Sequence, residues 1–341
     1  VKGIEHVVGA EMNVGFEVPI PEVDRVLKRR QRVLRKVARA TAMSEREHPI
    51  VVEKGVARVH APSVVVPACS TLTTVERTRR AFAQLVAPGD GRLDGNLDHA
   101  ALLIAQAIDS TVNLEEQLQR LDVLAAELAP TTPAELALGL FGGADHDPAV
   151  HFSGNQHQYY DPDNSLLHRV LDRRLGIPIS LAVLLIEIGR RLGIHLHGVG
   201  MPGHFLVRSR DGFIDPFNGG VMFDEQGCHA LFRRLAGPGA ALPDGALDAT
   251  PPAFIAKRML FNLAAIGTNQ QQRRALHATR CLLATFPDAT HREHVQHAYA
   301  AAEIGQFREA ATAAERALET IPGAVHEKLQ TQIDRWRSRL N

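Results

Sequence analysis

Residues 164–217 read NSLLHRVLDRRLGIPISLAVLLIEIGRRLGIHLHGVGMPGHFLVRSRDGFIDPF. Gly176 and Pro178 break the chain, and a proline suits the first turn of a new helix because the N–H it lacks has no partner there anyway. Ile179–Leu192 then sets Ile179, Leu181, Val183, Leu184, Leu185, Ile186, Ile188 and Leu192 on nearly every face. A helix apolar all round is buried at the centre of a domain. Gly193 ends it. In GHFLVR, strand alternation puts His204, Leu206 and Arg208 on one side and Phe205 and Val207 on the other. Asp211-Gly212 supplies a turn and Phe213–Asp215 returns. A buried helix followed by an antiparallel hairpin is an α+β order.

Outward from this stretch the chain divides into four parts. Residues 1–70 form a Val-rich and basic extension. Within it Asp24–Ala40, with seven Lys or Arg between Lys28 and Arg39, reads as a basic amphipathic helix or as a solvated arm. Residues 71–140 read as a helical lead-in: Thr74–Val86, Leu97–Ile108, Leu114–Leu128, then a helix after Pro133 that ends near Gly139 or Gly142. Residues 141–250 form the core. They open on a long loop (141–163), an N-cap at Asp163-Asn164-Ser165 and a short helix over Leu166–Leu175. Residues 251–341 are helical again, with Ala275 and Ala310, Leu283 and Leu318, and Pro287 and Pro322 repeating at one spacing. A period near 34 residues closed by proline is the tetratricopeptide pattern of stacked helix pairs.

Composition excludes several classes. Net charge is zero and 45% of the 341 residues are hydrophobic. No nucleic-acid partner is expected from that balance, and no apolar run is long enough for a transmembrane segment. Three widely spaced cysteines, Cys69, Cys228 and Cys281, argue against a disulfide framework and for a reducing compartment. The opening residues lack a basic start followed by an apolar core, so a cytoplasmic protein is the expectation.

His204 and Asp215 carry the chemistry that can be read here. A carboxylate beside an imidazole fixes its tautomer, either for catalysis or as a structural hydrogen bond. Their separation centres the hairpin between residues 209 and 210, beside the Asp211-Gly212 turn but not on it. A bulge or wider loop could set them side by side, and the sequence leaves the register open. Asn155, Tyr159, Tyr160, Asp161, Asn164, Arg173, Arg174, Arg208 and Asn218 are many polar groups for a short stretch. Either they converge on a His204 cleft and bind a peptide-like or small polar ligand, or they tie the 141–163 loop down by buried hydrogen bonds. Glu187 and Arg191, at i and i+4, read as a structural pair. No metal or cofactor is expected: His291, His294 and His297 drift around a helix, and His195 and His197 have no carboxylate or Cys at ligand spacing. Each cysteine reads as inert.

The segments FSGNQHQYYDPDNSLLHRVLDRRLGIPISL, RRLGIHLHGVGMPGHFLVR and IDPFNGG, with the lead-in LDHAALLIAQ and LQRLDVLAAEL, closely resemble the bacterial SirB-type transglutaminase-like family with C-terminal tetratricopeptide repeats. The resemblance covers about residues 80–340, and a related domain occurs in an animal F-box protein family. It implies a papain-like transglutaminase core with N-terminal helices and an all-α repeat tail. It implies a fold more than a reaction. In cysteine transglutaminases a Cys opens the helix. Counting back from Gly193, its place falls near Pro178, and Ser180 lies two residues on. Pro and Ser or Thr there are the resembled family's own pattern. Two functions follow. One is a binding or scaffold protein, without conventional transglutaminase or cysteine-protease activity, that holds a protein or peptide partner through the cleft or the repeat helices. The other is a hydrolase or acyl-transferase of amide bonds using Ser180 as nucleophile, His204 as base and Asp215 as orienter.

Overall fold

The computed structural model describes residues 74–87, 93–320 and 323–340. The basic segment Asp24–Ala40, Cys69 and the rest of the 1–70 extension lie outside the described residues. Residues 74–233 and 239–340 group into one compact unit.

Four helices lead in: α1 (Thr74–Val86), α2 (Leu97–Ile108), α3 (Leu114–Leu128) and α4 (Pro133–Phe141). The loop after α4 carries a short strand, β1 (Ser153–Gly154), and a 3-10 turn over Pro162–Ser165. The turn is capped by Asp161, whose side chain accepts from Asp163 N–H, rather than by the three residues 163–165. Then come α5 (Leu167–Arg173), β2 (Leu175–Gly176) and α6 (Pro178–Arg191). Helix α5 is shorter than its apolar pattern suggests because Arg174 turns left-handed (φ 55°) and feeds β2, which pairs in parallel with β1.

Helix α6 is the axis of the unit. Pro178 occupies its first turn, and the residues from Pro178 to Leu185 are all buried. It packs against α2, α3, α4 and α5 on one side and against β3 and β4 on the other. Its C-terminal end is fixed by charge. Arg191 reaches the buried Asp98 at 2.7 Å, Asp122 at 2.7 Å and Glu187 at 3.4 Å, so the expected Glu187–Arg191 pair is part of a wider network. Arg190 Nε lies 2.7 Å from Glu187 Oε2, while Glu187 Oε1 accepts from Leu97 N–H at 3.2 Å. Glu187 thereby satisfies a free N–H at the start of α2.

A four-stranded antiparallel meander follows, in the order β3 (His197–Val199), β4 (Leu206–Ser209), β5 (Gly212–Asp215) and β6 (Val221–Phe223). The β4–β5 turn is Arg210-Asp211, one residue earlier than the sequence suggests, with Ser209 pairing Gly212. Gly212 has φ 128°, and a Cβ there would lie 2.5 Å from the Phe223 carbonyl oxygen, so the position requires glycine.

After α7 (Glu225–Ala236) the chain is helical: α8 (Pro252–Asn269), α9 (Arg273–Leu283), α10 (His291–Glu303), α11 (Phe307–Leu318) and α12 (Gly323–Arg337). Each packs on the next. Helices α8 and α9 join the main core through Ile255, Met259, Leu260, Leu282 and Leu283. Helices α10 to α12 have their own core of Ala298, Ala301, Ala310, Ala314 and Ala317 against Leu329, Ile333 and Trp336. Small residues at this seam let the helix backbones come close. No helix of the described residues is long and apolar enough to cross a membrane.

Candidate functional site

His204 lies two residues before β4, not within it. The hairpin register sets Val207 opposite Ile214, Arg208 opposite Phe213 and Ser209 opposite Gly212. Extended by one step, it sets Leu206 opposite Asp215. His204 is two residues further back, on the same face, and so is the diagonal neighbour of Asp215. His204 Nε2 and Asp215 Oδ1 are 2.9 Å apart, so neither a bulge nor a wider loop is needed.

Asp215 is fully buried. Its Oδ1 also accepts from the Phe217 and Asn218 N–H groups at 3.2 and 3.3 Å, and Oδ2 accepts from Asn218 Nδ2 at 2.7 Å. Burial alone pushes the carboxyl upward. The charge and hydrogen bond of His204, with those from Asn218, outweigh it and hold Asp215 below the usual carboxylate range. An ionised Asp215 fixes the His204 proton on Nε2 and leaves Nδ1 as the side that can accept one. The His204 backbone is held as well, since its carbonyl accepts from Arg258 of α8 at 3.0 Å.

Ser180 has no such freedom. It is fully buried in the first turn of α6, where its Oγ accepts from Ile177 N–H at 3.0 Å. Its proton goes to the Asn164 carbonyl oxygen at 2.6 Å. This is the N3 half of a capping box combined with a tie to the loop before α5. Among the described residues no hydrogen bond joins Ser180 to His204.

The polar residues of the loop divide in two. Asn218 converges on the His204–Asp215 pair. Asn155 and Asn164 bind each other, Nδ2 to Oδ1 at 3.0 Å, and Asn164 Nδ2 donates to the Gln158 carbonyl at 2.7 Å. Arg173 reaches Asp161 at 2.7 Å, and Arg174 donates to the Val150 carbonyl at 2.6 Å. These four fasten the loop. Arg208 is exposed on β4, across from Phe213.

Tyr159 and Tyr160 are placed differently again. A row of aromatic rings runs outward from His204: Phe217 at 6.2 Å, Tyr159 a further 5.9 Å on, and Tyr160 5.3 Å beyond that, each contact edge to face. Tyr159 is 38% exposed and Tyr160 63%. Phe217 stands where it does because Gly154 has no side chain; a Cβ there would lie 2.4 Å from the ring and 2.5 Å from the Phe217 carbonyl. Phe217 and Arg258 carry no signal in the sequence that marks them as site residues. Phe217 reads as part of a turn, and Arg258 comes from a helix more than fifty residues away.

No set of three or more His, Cys, Asp or Glu at ligand spacing surrounds His204 among the described residues. The thiol of Cys228 is fully buried and close enough to Asp215 to feel its charge. Burial, with the charges of Asp224 and Asp215, pushes it up to about 12. It is a thiol, not a thiolate nucleophile.

The site is thus a His–Asp pair at the edge of an antiparallel sheet packed on a central helix. Residues 115–261 match the model of the transglutaminase-like superfamily, which supports a transglutaminase-like α+β domain over that stretch. A UPF0162 protein of Xylella fastidiosa is 46% identical over 142 residues, 38% of this chain and 50% of that protein. A UPF0162 protein of Vibrio cholerae is 32% identical over 143 residues, 40% of this chain and 53% of that one. Human F-box only protein 21 is 38% identical over 92 residues, 24% of this chain and 15% of its own length. The chain spans about half the length of these bacterial relatives. No solved structure matches.

Proposed function

We propose that this chain is a transglutaminase-like binding protein that holds a protein or peptide partner without cleaving or joining it. The observation that carries this reading is the state of Ser180: buried, with its proton on the Asn164 carbonyl and its oxygen on Ile177 N–H. An imidazole oriented by Asp215 is then left with no nucleophile beside it among the described residues. The aromatic row supports binding, because edge-stacked rings that end at an exposed tyrosine pair offer a peptide large apolar area at low conformational cost. The repeat spacing over residues 251–341 and the alanine seam of α10 to α12 support the reading of that part as a tetratricopeptide-type segment and a second surface for the partner.

A second reading is favoured by the His204–Asp215 geometry. A carboxylate-oriented imidazole whose Nδ1 makes no hydrogen bond among the described residues is what an acyl-transfer base needs. In that reading Ser180 turns toward His204 when substrate binds.

One experiment separates them. A displayed peptide library is panned on the full chain, with counter-selection on Tyr159→Ala and Phe217→Ala, and the same proteins are treated with a fluorophosphonate probe. Binding predicts enriched peptides that release from both variants, with no labelling. Labelling of wild type that disappears in Ser180→Ala would establish the enzyme reading instead.

A further inference from the structure

We propose that His277, His297 and Glu309, with Cys281 as a fourth donor, form a zinc site in the helical segment. His277 and Cys281 stand one turn apart on α9, His297 comes from α10 and Glu309 from α11. One potential ligand atom from each of the two histidines and the glutamate lies within 4.8 Å of the others. His297 Nε2 is 3.0 Å from Glu309 Oε1, His277 Nε2 is 3.2 Å from Oε2, and Cys281 Sγ is 3.8 Å from Oε1. Around a zinc ion with ligands at ~2.0–2.3 Å, the two imidazoles and the carboxylate supply three clustered donors, and Cys281 would have to move in from beside Glu309 to close a tetrahedron.

A second observation points to a missing ligand. His277 is only 6% exposed, and its Nε2 makes no hydrogen bond. The atom sits close to Glu309, but the direction is wrong for a hydrogen bond. An orphaned polar atom in an interior is unfavourable unless something takes its lone pair. An imidazole lone pair aimed into a set of N, O and S donors is what a zinc ion takes. Magnesium and calcium prefer oxygen alone. An ion held by ligands from three helices would tie α9, α10 and α11 together.

The alternative is an ion cluster in which Glu309 simply joins two imidazoles and Arg79, whose guanidinium lies 3.6 Å from Oε1. In that reading His277 Nε2 meets Glu309 Oε2 as an ion pair at 3.2 Å without hydrogen-bond geometry. That reading also predicts no metal dependence.

The test uses the full chain, untagged and stripped with a chelator. Zinc is titrated against a chromophoric chelator, and cobalt is substituted for spectroscopy. Wild type should take up one zinc, rise in thermal midpoint, and give with cobalt the intense visible bands of four-coordination and a near-ultraviolet thiolate band. Cys281→Ser should lose the thiolate band and keep the visible ones. His277→Ala and His297→Ala should weaken zinc at least about tenfold, the scale on which ligand-shell changes act. Glu309→Gln, which keeps the side-chain shape, carries the same expectation if a histidine variant does not fold. Zinc uptake that is absent in wild type, or unchanged in Glu309→Gln, would overturn the proposal.

Discussion

His204 and Asp215 are diagonal neighbours across the β4–β5 hairpin, joined Nε2 to Oδ1 at 2.9 Å although His204 stands outside the strand. The carboxylate collects four hydrogen bonds in a site closed to water, so its removal leaves several donors unpaired. Asp215→Ala is expected to destabilise the chain by roughly 3–5 kcal/mol, the usual effect of breaking a buried pair on one side. Urea unfolding at neutral pH measures it. Because the folded carboxyl sits below its unfolded value of 3.8, its contribution is present above that value and is lost as pH falls through the folded one.

Glu187 gives the opposite pH dependence. Burial and the neighbouring Asp98 carboxylate raise it from 4.5 to about 7, against the pull of Arg190 and Arg191. A raised carboxyl contributes stability that is whole below pH 4.5 and is lost as pH climbs through about 7. The slope is at most about 1.4 kcal/mol per pH unit. Unfolding midpoints between pH 5 and 8 should fall in wild type and flatten in Glu187→Gln.

Ser180→Ala tests the structural role of the hydroxyl. Loss of the bonds to Ile177 and Asn164 in a dry site should reduce stability by about 1–3 kcal/mol. A thermal midpoint unchanged in this variant would mean that the hydroxyl does not hold the start of α6.

Gly154→Ala drives a methyl into the Phe217 ring and carbonyl. Overpacking of this kind costs about 1–3 kcal/mol. The displaced ring should also change the near-ultraviolet circular dichroism of the Tyr159 contact, while far-ultraviolet helix content is retained.

Cys228 and Cys281 are both buried, with thiols pushed up to about 12. Brief iodoacetamide treatment of folded protein at pH 8, mapped by mass spectrometry, should leave both unmodified. Both should react once the chain is unfolded.

Much of this was legible because local chemistry dictates it. Apolar spacing alone marks Thr74–Val86, Leu97–Ile108 and Leu114–Leu128, and the structure has helices over those same residues. Pro178 and the all-round apolar run after it mark the buried helix. The His204–Asp215 contact was harder to read, since strand alternation does not show where pairing stops. The start of β4 at Leu206 and the turn at Arg210-Asp211 resolve the offset. The roles of Asn155, Asn164, Arg173 and Arg174 depend on where a loop lies, which spacing does not encode. Arg258 under His204, and His277 beside Glu309, come together only through the packing of helices distant in the chain.

The anchored loop before α5 has a kinetic consequence. Asn155, Asn164, Arg173 and Arg174 hold the backbone on which Tyr159 and Tyr160 stand. Two aromatic side chains on a clamped support have little order left to lose when a partner arrives. Association of the proposed peptide partner at this face is therefore expected to proceed as rigid docking, with differences between peptides expressed in how slowly they leave.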